Sequence, residues 1–178
     1  MVTACQWLRA NGYPAEHTAT AGDSAGANLA ISTALKLREL GEPLPAAIIA
    51  FSPWLDMENR GKTLETNADS DALVSRAVSE MMATMYLGGA SPAEPLANCL
   101  HADLSGLPPV FVAAGGAETL LDNAERFVEQ AQSSGVDATL EIQPGQQHVY
   151  QFMAGRAKEA DATIHNAAEW LRPRLGLS

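Results

Sequence analysis

Short apolar segments of strand length alternate along the chain with longer segments in which apolar residues recur at helical spacing. The strand-like segments span residues 17–21, 46–51, 110–114 and 138–142. Segment 46–51 is apolar throughout, as is typical of a strand buried on both faces of a parallel sheet. Strands that alternate with helices predict an α/β fold, with a parallel sheet of about four strands, helices on both faces and right-handed crossovers.

Five segments of the chain are predicted to be helices. They cover residues 2–11, 25–40 and 75–87, a segment from Leu120 to Ala131 that Gly135 ends, and a closing helix with Ile164, Ala167, Ala168 and Leu171 on one face. In helix 75–87 the shared face consists of Val78, Met81, Met82 and Met85. We interpret this face as part of the core, although part of it could line a pocket, since methionine adapts to varied shapes. The polar stretch 57–73 is long for a compact domain, which indicates a functional or poorly ordered loop.

The segment Gly22-Asp23-Ser24-Ala25-Gly26 contains a G-x-S-x-G pattern where a predicted strand meets a predicted helix. A sharp turn there lifts the Ser24 hydroxyl clear of the sheet, and the glycines leave room for neighbouring backbone. The helix that begins after the serine directs N–H groups and a partial positive charge toward an oxyanion. Ser24 is therefore the candidate nucleophile, and the N–H of Ala25 is a candidate oxyanion-hole donor.

A carboxylate and an imidazole also follow predicted strands, at Glu118 and His148. Reactive groups gather at the carboxyl ends of strands in parallel sheets, and the chain order serine, acid, histidine is that of α/β-hydrolases. A serine hydroxyl needs an adjacent base near neutral pH. We therefore expect His148 to accept the Ser24 proton and Glu118 to orient the imidazole and stabilise its charge.

Asp122 is the alternative acid. With Glu125 three residues later it forms a D-x-x-E pattern at the start of a helix, which predicts a capping box and a structural role. Glu118 has no comparable structural explanation and is preferred. The remaining histidines, His17, His101 and His165, lie away from the C-terminal ends of the predicted strands and are interpreted as structural.

Net charge and cysteine content indicate which partners and which cellular compartment to expect. The 178 residues carry a formal net charge of −10, which argues against nucleic acid and anionic membranes and favours a neutral small-molecule substrate. Cys5 and Cys99 are far apart, so a reducing, cytoplasmic compartment is expected, without a disulfide framework or zinc site. A signal peptide and a membrane span are not expected from the sequence.

Further motifs accompany these candidates. They are Ser52-Pro53-Trp54 after the second strand, Tyr86-Leu87-Gly88-Gly89, the segment Ala102 to Pro109, Glu118 with Leu120-Leu121-Asp122, and Pro144-Gly145 before His148. Together with Gly22 to Gly26, they resemble the hormone-sensitive-lipase family of bacterial esterases, over essentially the whole chain. The resemblance implies hydrolysis of short-chain carboxylic esters through an acyl-enzyme, without metal or cofactor, and places the triad acid at Glu118.

The sequence departs from that family because it has no H-G-G-G loop and none of the front section that carries it. The resemblance therefore implies that residues 1–178 form a single truncated α/β-hydrolase catalytic domain, with 53–109 as a cap-like, irregular insertion between the second and third strands. The first strand then becomes an open sheet edge, which predicts a homo-oligomer.

The missing loop leaves an alternative function open, namely a catalytically impaired fragment or a non-enzymatic ligand-binding module of the same fold. For the enzyme, we expect Asp23, Trp54, Met82 and Val149 to line the substrate pocket.

Overall fold

A computed structural model describes residues 1–177 and contains one four-stranded parallel sheet. The strands are β1 (Ala19–Asp23), β2 (Ala47–Phe51), β3 (Val110–Gly115) and β4 (Ala138–Gln143), and they lie side by side in chain order. The predicted fold class is confirmed. Strand β1 begins two residues later than predicted because Ala15–His17 form a 3-10 turn in front of it, and it extends to Asp23.

Six α-helices connect and flank the strands in the described part of the chain. They are α1 (Val2–Ala10), α2 (Ala25–Glu39), α3 (Thr63–Thr66), α4 (Arg76–Leu87), α5 (Leu121–Ser133) and α6 (Lys158–Leu171). Short 3-10 turns lie at Cys99–His101, Tyr150–Met153 and Arg172–Leu175. Each helix between neighbouring strands returns the chain to the same end of the sheet, so all four strand C-termini lie along one edge.

Alternate residues of each strand face opposite sides of the sheet. Ile48, Ala50, Val110 and Val112 pack with buried residues of α2 and α5 on one face. Ile49 and Phe111 pack with Ala167 of α6 on the other face, where the Phe111 and Trp170 rings lie 5.7 Å apart. Helices therefore cover both faces, and strand β2 is buried on both sides, as its apolar sequence predicts.

The prediction that the methionine face of α4 belongs to the core is wrong for Met81 and Met85. Met81 and Met85 are 55% and 76% exposed, whereas the buried residues of this helix are Ser79 and Ala83. The indole Nε1 of Trp54 donates to Ser79 Oγ at 3.1 Å, so α4 packs through its small residues. Only Met82 of the predicted face packs against the buried cluster around Trp54.

The face predicted for α6 is also partly wrong. Its buried residues are Ala160, Thr163 and Ala167, whereas Ile164 is 39% exposed and Ala168 lies at the surface. The buried face of α6 is narrow because the helix contacts the sheet through Ala167 and the partly buried Trp170 and Leu171. Small residues thus set the contact line in α6 as they do in α4.

The polar stretch 57–73 is ordered and packs onto the domain. Met57 and Leu64 are buried in the cluster around Trp54, and Thr63 Oγ1 donates to the Thr119 carbonyl at 2.7 Å. Together with α4, this stretch belongs to the irregular segment between β2 and β3. Whether residues 53–109 act as a cap stays a prediction. Among the helices of residues 1–177, none has both the length and the apolarity to cross a membrane.

Candidate active site

Ser24 occupies a strained turn between β1 and α2. Its backbone has φ 53° and ψ −118°. For a residue other than glycine, a conformation of this kind costs on the order of 1–3 kcal/mol, and such residues cluster at functional sites. The Ser24 N–H donates to the Phe51 carbonyl at 2.9 Å, and the Ser24 carbonyl accepts from Trp54 N at 3.1 Å. Neighbouring backbone therefore fixes the turn on both sides.

Gly22 is required by the close approach of strand and helix at this turn. A Cβ at Gly22 would lie 2.3 Å from the Gly26 carbonyl carbon and oxygen, so no side chain fits there. The strand consequently passes directly against the first turn of α2. This approach explains the first glycine of the G-x-S-x-G pattern in physical terms.

The structure brings His148 to Ser24 from 124 residues away. His148 Nε2 lies 3.0 Å from Ser24 Oγ, a hydrogen-bonding distance that suits transfer of the hydroxyl proton. The His148 side chain is 8% exposed, so little water reaches it. Val149, the next residue, has a left-handed backbone (φ 52°) and turns the chain into the 3-10 turn Tyr150–Met153.

Glu118 lies behind the imidazole and is fully buried. Its Oε2 is 3.8 Å from His148 Nδ1, within ion-pairing range but beyond a hydrogen bond. Among the described residues, neither His148 Nδ1 nor Glu118 Oε1 has a hydrogen-bond partner. Catalytic hydrogen bonds are often long in the absence of substrate, and an approach of about 1 Å would join the two groups.

The alternative acid, Asp122, is engaged elsewhere. Its Oδ1 pairs with Arg126 Nε, and its Oδ2 accepts from Lys62 N at 3.4 Å. The predicted capping box is wrong, because helix α5 begins after Leu120 and no side chain caps its N-terminus. Asp122 lies inside the first turn, where its own N–H donates to Thr63 Oγ1 at 3.0 Å. A structural role remains, through an ion pair instead of a cap.

Ala25 is the first residue of α2, so its N–H has no acceptor within the helix. It borders a small apolar cavity of about 70 Å³ together with Trp54. The remaining lining residues of this cavity are Asn28, Leu29, Met57 and Tyr86. Met82 packs in the buried cluster that contains Trp54. Of the predicted pocket residues, Trp54 thus lines this cavity, whereas Met82 contacts that cluster and is not among the lining residues.

A second, larger and open cleft of about 550 Å³ includes Ser24 itself in its lining. Asp23 and Val149 line it with Ser24 and His148, so these two predicted pocket residues meet the nucleophile and base directly. The sequence pattern does not single out its other lining residues, which are Leu73, Gln146, Gln147, Tyr150, Phe152 and Met153. The available signal is position, since five of these six lie within five residues of His148.

Segment 67–74 ties the acid turn to the histidine loop. Asn67 Nδ2 donates to the Glu118 carbonyl at 2.9 Å, and Ser70 Oγ donates to the Ala117 carbonyl at 2.9 Å. The Gln147 side chain accepts from Ala72 N at 2.8 Å and donates to the Ser70 carbonyl at 2.6 Å. The polar stretch 57–73 therefore ends in a segment that holds both Glu118 and the residue before His148.

Asp71 anchors this segment with one carboxylate. Its Oδ1 accepts from Leu73 N and Val74 N at 2.8 and 2.9 Å, and its Oδ2 accepts from the Thr119 N–H and hydroxyl at 2.7 and 3.0 Å. Burial by itself raises the pKa of Asp71. The hydrogen bonds outweigh it and bring the pKa below the ordinary 3.8.

The lowered pKa of Asp71 makes a pH-dependent contribution to stability. The unfolded chain takes up the proton near pH 3.8 and the folded chain only below that, so the contribution is full above this pH and is lost as the pH falls through the folded pKa. We expect acidification from about pH 7 to about pH 2.5 to lower the urea midpoint of the wild type more than that of Asp71→Asn. An equal loss in both proteins would contradict this assignment.

The other histidines lie outside this cluster. His17 Nδ1 lies 2.9 Å from the Leu175 carbonyl oxygen, His101 Nε2 lies 2.8 Å from Glu58 Oε2, and His165 is exposed on α6. Across residues 1–177, no three or more histidine, cysteine or acidic side chains cluster in a way that could hold a metal ion.

A strained serine at a strand–helix turn, with a histidine and a buried carboxylate behind it, is the site arrangement of an α/β-hydrolase. A family profile described as "alpha/beta hydrolase fold" matches residues 1–152. The chain belongs to this family.

Two relatives whose names describe them as hydrolases of esters or acetyl groups match nearly the whole chain. The chain is 37% identical over 175 residues to an acetyl-hydrolase of Streptomyces hygroscopicus, covering 98% of this chain and 58% of that protein. It is 32% identical over 177 residues to the esterase LipU of Mycobacterium tuberculosis, and the match covers 96% of this chain and 59% of that protein. The chain thus spans less than two thirds of the length of these relatives.

A solved esterase from the bacterial hormone-sensitive lipase family superimposes with a TM-score of 0.96 at 44% identity, covering 98% of this chain and 59% of that structure. The crystal structure of EstE5 soaked with ethyl alcohol superimposes with a TM-score of 0.95 at 34% identity, and the match covers 98% of this chain and 59% of that structure. The predicted resemblance to hormone-sensitive-lipase-type esterases is confirmed.

Proposed function

We propose that this chain carries the Ser-His-Glu triad of a serine esterase, with Ser24 as nucleophile, His148 as base and Glu118 as acid. The observation that carries the proposal is the 3.0 Å contact between His148 Nε2 and Ser24 Oγ at a strained strand–helix turn. Relatives that bear the names esterase and acetyl-hydrolase support it.

The reaction proceeds in two half-reactions. Ser24 Oγ attacks the ester carbonyl carbon while its proton moves to His148 Nε2, and the resulting oxyanion lies near the Ala25 N–H. The tetrahedral intermediate collapses, and the alcohol leaves with the proton from His148, so that the acyl group remains on Ser24. Water then loses a proton to His148 and attacks the acyl-enzyme carbonyl. The second tetrahedral intermediate collapses, the C–O bond to Ser24 breaks, His148 returns the proton to Ser24 Oγ, and the carboxylic acid is released. The buried carboxylate of Glu118 stabilises the imidazolium in both halves.

The substrate class in this proposal is a short-chain carboxylic ester. The apolar cavity beside Ala25 supports this, because its volume is about 70 Å³, roughly half that of a 150 Å³ cavity that admits benzene. A cavity of this size favours a short acyl chain over a long one. The open cleft on the His148 side, with exposed Leu73 and Phe152 at its rim, then receives the alcohol part.

A nitrophenyl ester series tests this function directly. We expect the acetate and butyrate esters to be hydrolysed at least about tenfold faster than the octanoate, because the octanoyl chain is too long to fit in the small cavity. An organophosphonate should stop hydrolysis in proportion to the fraction of Ser24 that carries the phosphonyl group, measured by peptide mass. Hydrolysis that survives complete modification of Ser24 would contradict the proposal.

The 3.8 Å separation between Glu118 Oε2 and His148 Nδ1, which is beyond a hydrogen bond, favours a second candidate, a catalytically impaired or ligand-binding module. A ligand-binding module would leave Ser24 unmodified by the phosphonate, which separates the two candidates. The homo-oligomer and the cytoplasmic location stay predictions.

A further inference from the structure

Ser52 lies at the point where the acid turn and the histidine loop come together. It follows β2 and is fully buried. Its Oγ donates to Glu118 Oε2 at 2.7 Å and accepts from Val149 N at 3.0 Å. Both bonds have a fixed direction, because a carboxylate only accepts and an N–H only donates. One hydroxyl therefore joins the acid to the residue that follows the base.

The backbone of Ser52 shows that this position is maintained under strain. Its φ is +43°, a left-handed value that a residue other than glycine rarely adopts. The Ser52 N–H donates to the Ala113 carbonyl at 2.7 Å, which holds the turn against β3. Strain of this kind persists where the surrounding structure enforces it and where the side chain has a task.

We propose that Ser52 is a positioning residue that sets the Glu118 carboxylate against His148, an inference that rests on the proposed esterase function. The oxygen that Ser52 binds, Oε2, is the one that lies 3.8 Å from His148 Nδ1. Gly115 N donates to the same oxygen at 3.1 Å. The two donors fix where the charge of Glu118 lies, and the bond to Val149 N fixes the loop that carries the imidazole.

The effect of Ser52 is measured as the second-order rate constant for modification of Ser24 by diethyl 4-nitrophenyl phosphate, followed by nitrophenolate release. We expect Ser52→Ala to lower this rate constant between about tenfold and about a hundredfold, because the acid is no longer held in place. Ser52→Gly should lose as much, although glycine relieves the backbone strain at φ +43°. Thr20→Val is the matched control, since Thr20 is another buried hydroxyl, bonded to the Ala30 carbonyl at 3.2 Å.

A double-mutant cycle distinguishes positioning from a purely structural role. If Ser52 acts through Glu118, Ser52→Ala should cost less than about threefold in a Glu118→Ala background. Multiplicative losses, or full activity of Ser52→Gly, would overturn the proposal, because either result would assign Ser52 to the backbone alone. A wild type that never reacts at Ser24 would instead refute the esterase function, so the two failures are separate results.

Discussion

Replacement of Ser24 by alanine is expected to eliminate modification by organophosphonates and to lower hydrolysis of a short nitrophenyl ester by at least about 10³-fold. Ser24 Oγ is the atom that bonds to the acyl or phosphonyl group, and alanine leaves nothing within reach of His148 Nε2 that can replace it. Alanine also keeps the backbone of the turn, which is held by Phe51 and Trp54 and not by the serine hydroxyl. The loss is therefore expected in rate while the fold is retained.

Ser32→Ala is the matched control for this variant. Ser32 lies in α2, the helix that follows Ser24. It is buried, and its hydroxyl donates to the Leu29 carbonyl one turn earlier, at 3.4 Å. Both variants should give the wild-type circular dichroism spectrum, and only Ser24→Ala should lose the reaction. Phosphonylation that persists at another residue in Ser24→Ala would place the nucleophile elsewhere and would refute the proposed triad.

The sheet and the chain order of the candidate triad could be predicted because they depend on periodic and local signals. Apolar runs such as 46–51 indicate buried parallel strands, and parallel strands bring their C-terminal ends to one edge. Ser24 and His148 each follow such an end, so topology places both at the same end of the sheet, although β1 and β4 are its two outer strands. The 3.0 Å contact between them requires in addition the left-handed turns at Ser24 and Val149. The G-x-S-x-G pattern signals the first of these turns, and no local pattern signals the second.

Predictions that depended on which neighbour a side chain meets were less successful. Met81 and Met85 recur at helical spacing, yet α4 packs through Ser79 and Ala83. Asp122 and Glu125 match a capping box, but Arg126, one turn after Asp122, engages the carboxylate instead. Ser52 and Asp71 contact partners 66 and 48 residues away. Sequence periodicity contains no information about such distant partners.

The choice between Glu118 and Asp122 leads to the second large expected effect. Glu118→Gln should slow modification of Ser24 by roughly 10³- to 10⁴-fold, because the amide is neutral and no longer stabilises the imidazolium. Asp122→Asn should change the rate by less than about threefold, because Asp122 pairs with Arg126 and not with His148. Each variant replaces one carboxylate by its amide, so the two are controls for each other.

Stability measurements should show the reverse order for these variants. Asp122→Asn leaves Arg126 with a single carboxylate partner, Asp56, and should lower the free energy of unfolding by about 1–3 kcal/mol. Glu118→Gln keeps an oxygen that can accept from Ser52 and Gly115, so its loss of stability should be smaller. A large rate loss in Asp122→Asn with little change in Glu118→Gln would assign the acid to Asp122. The 3.8 Å separation between Glu118 and His148 would then be a structural contact without a catalytic role.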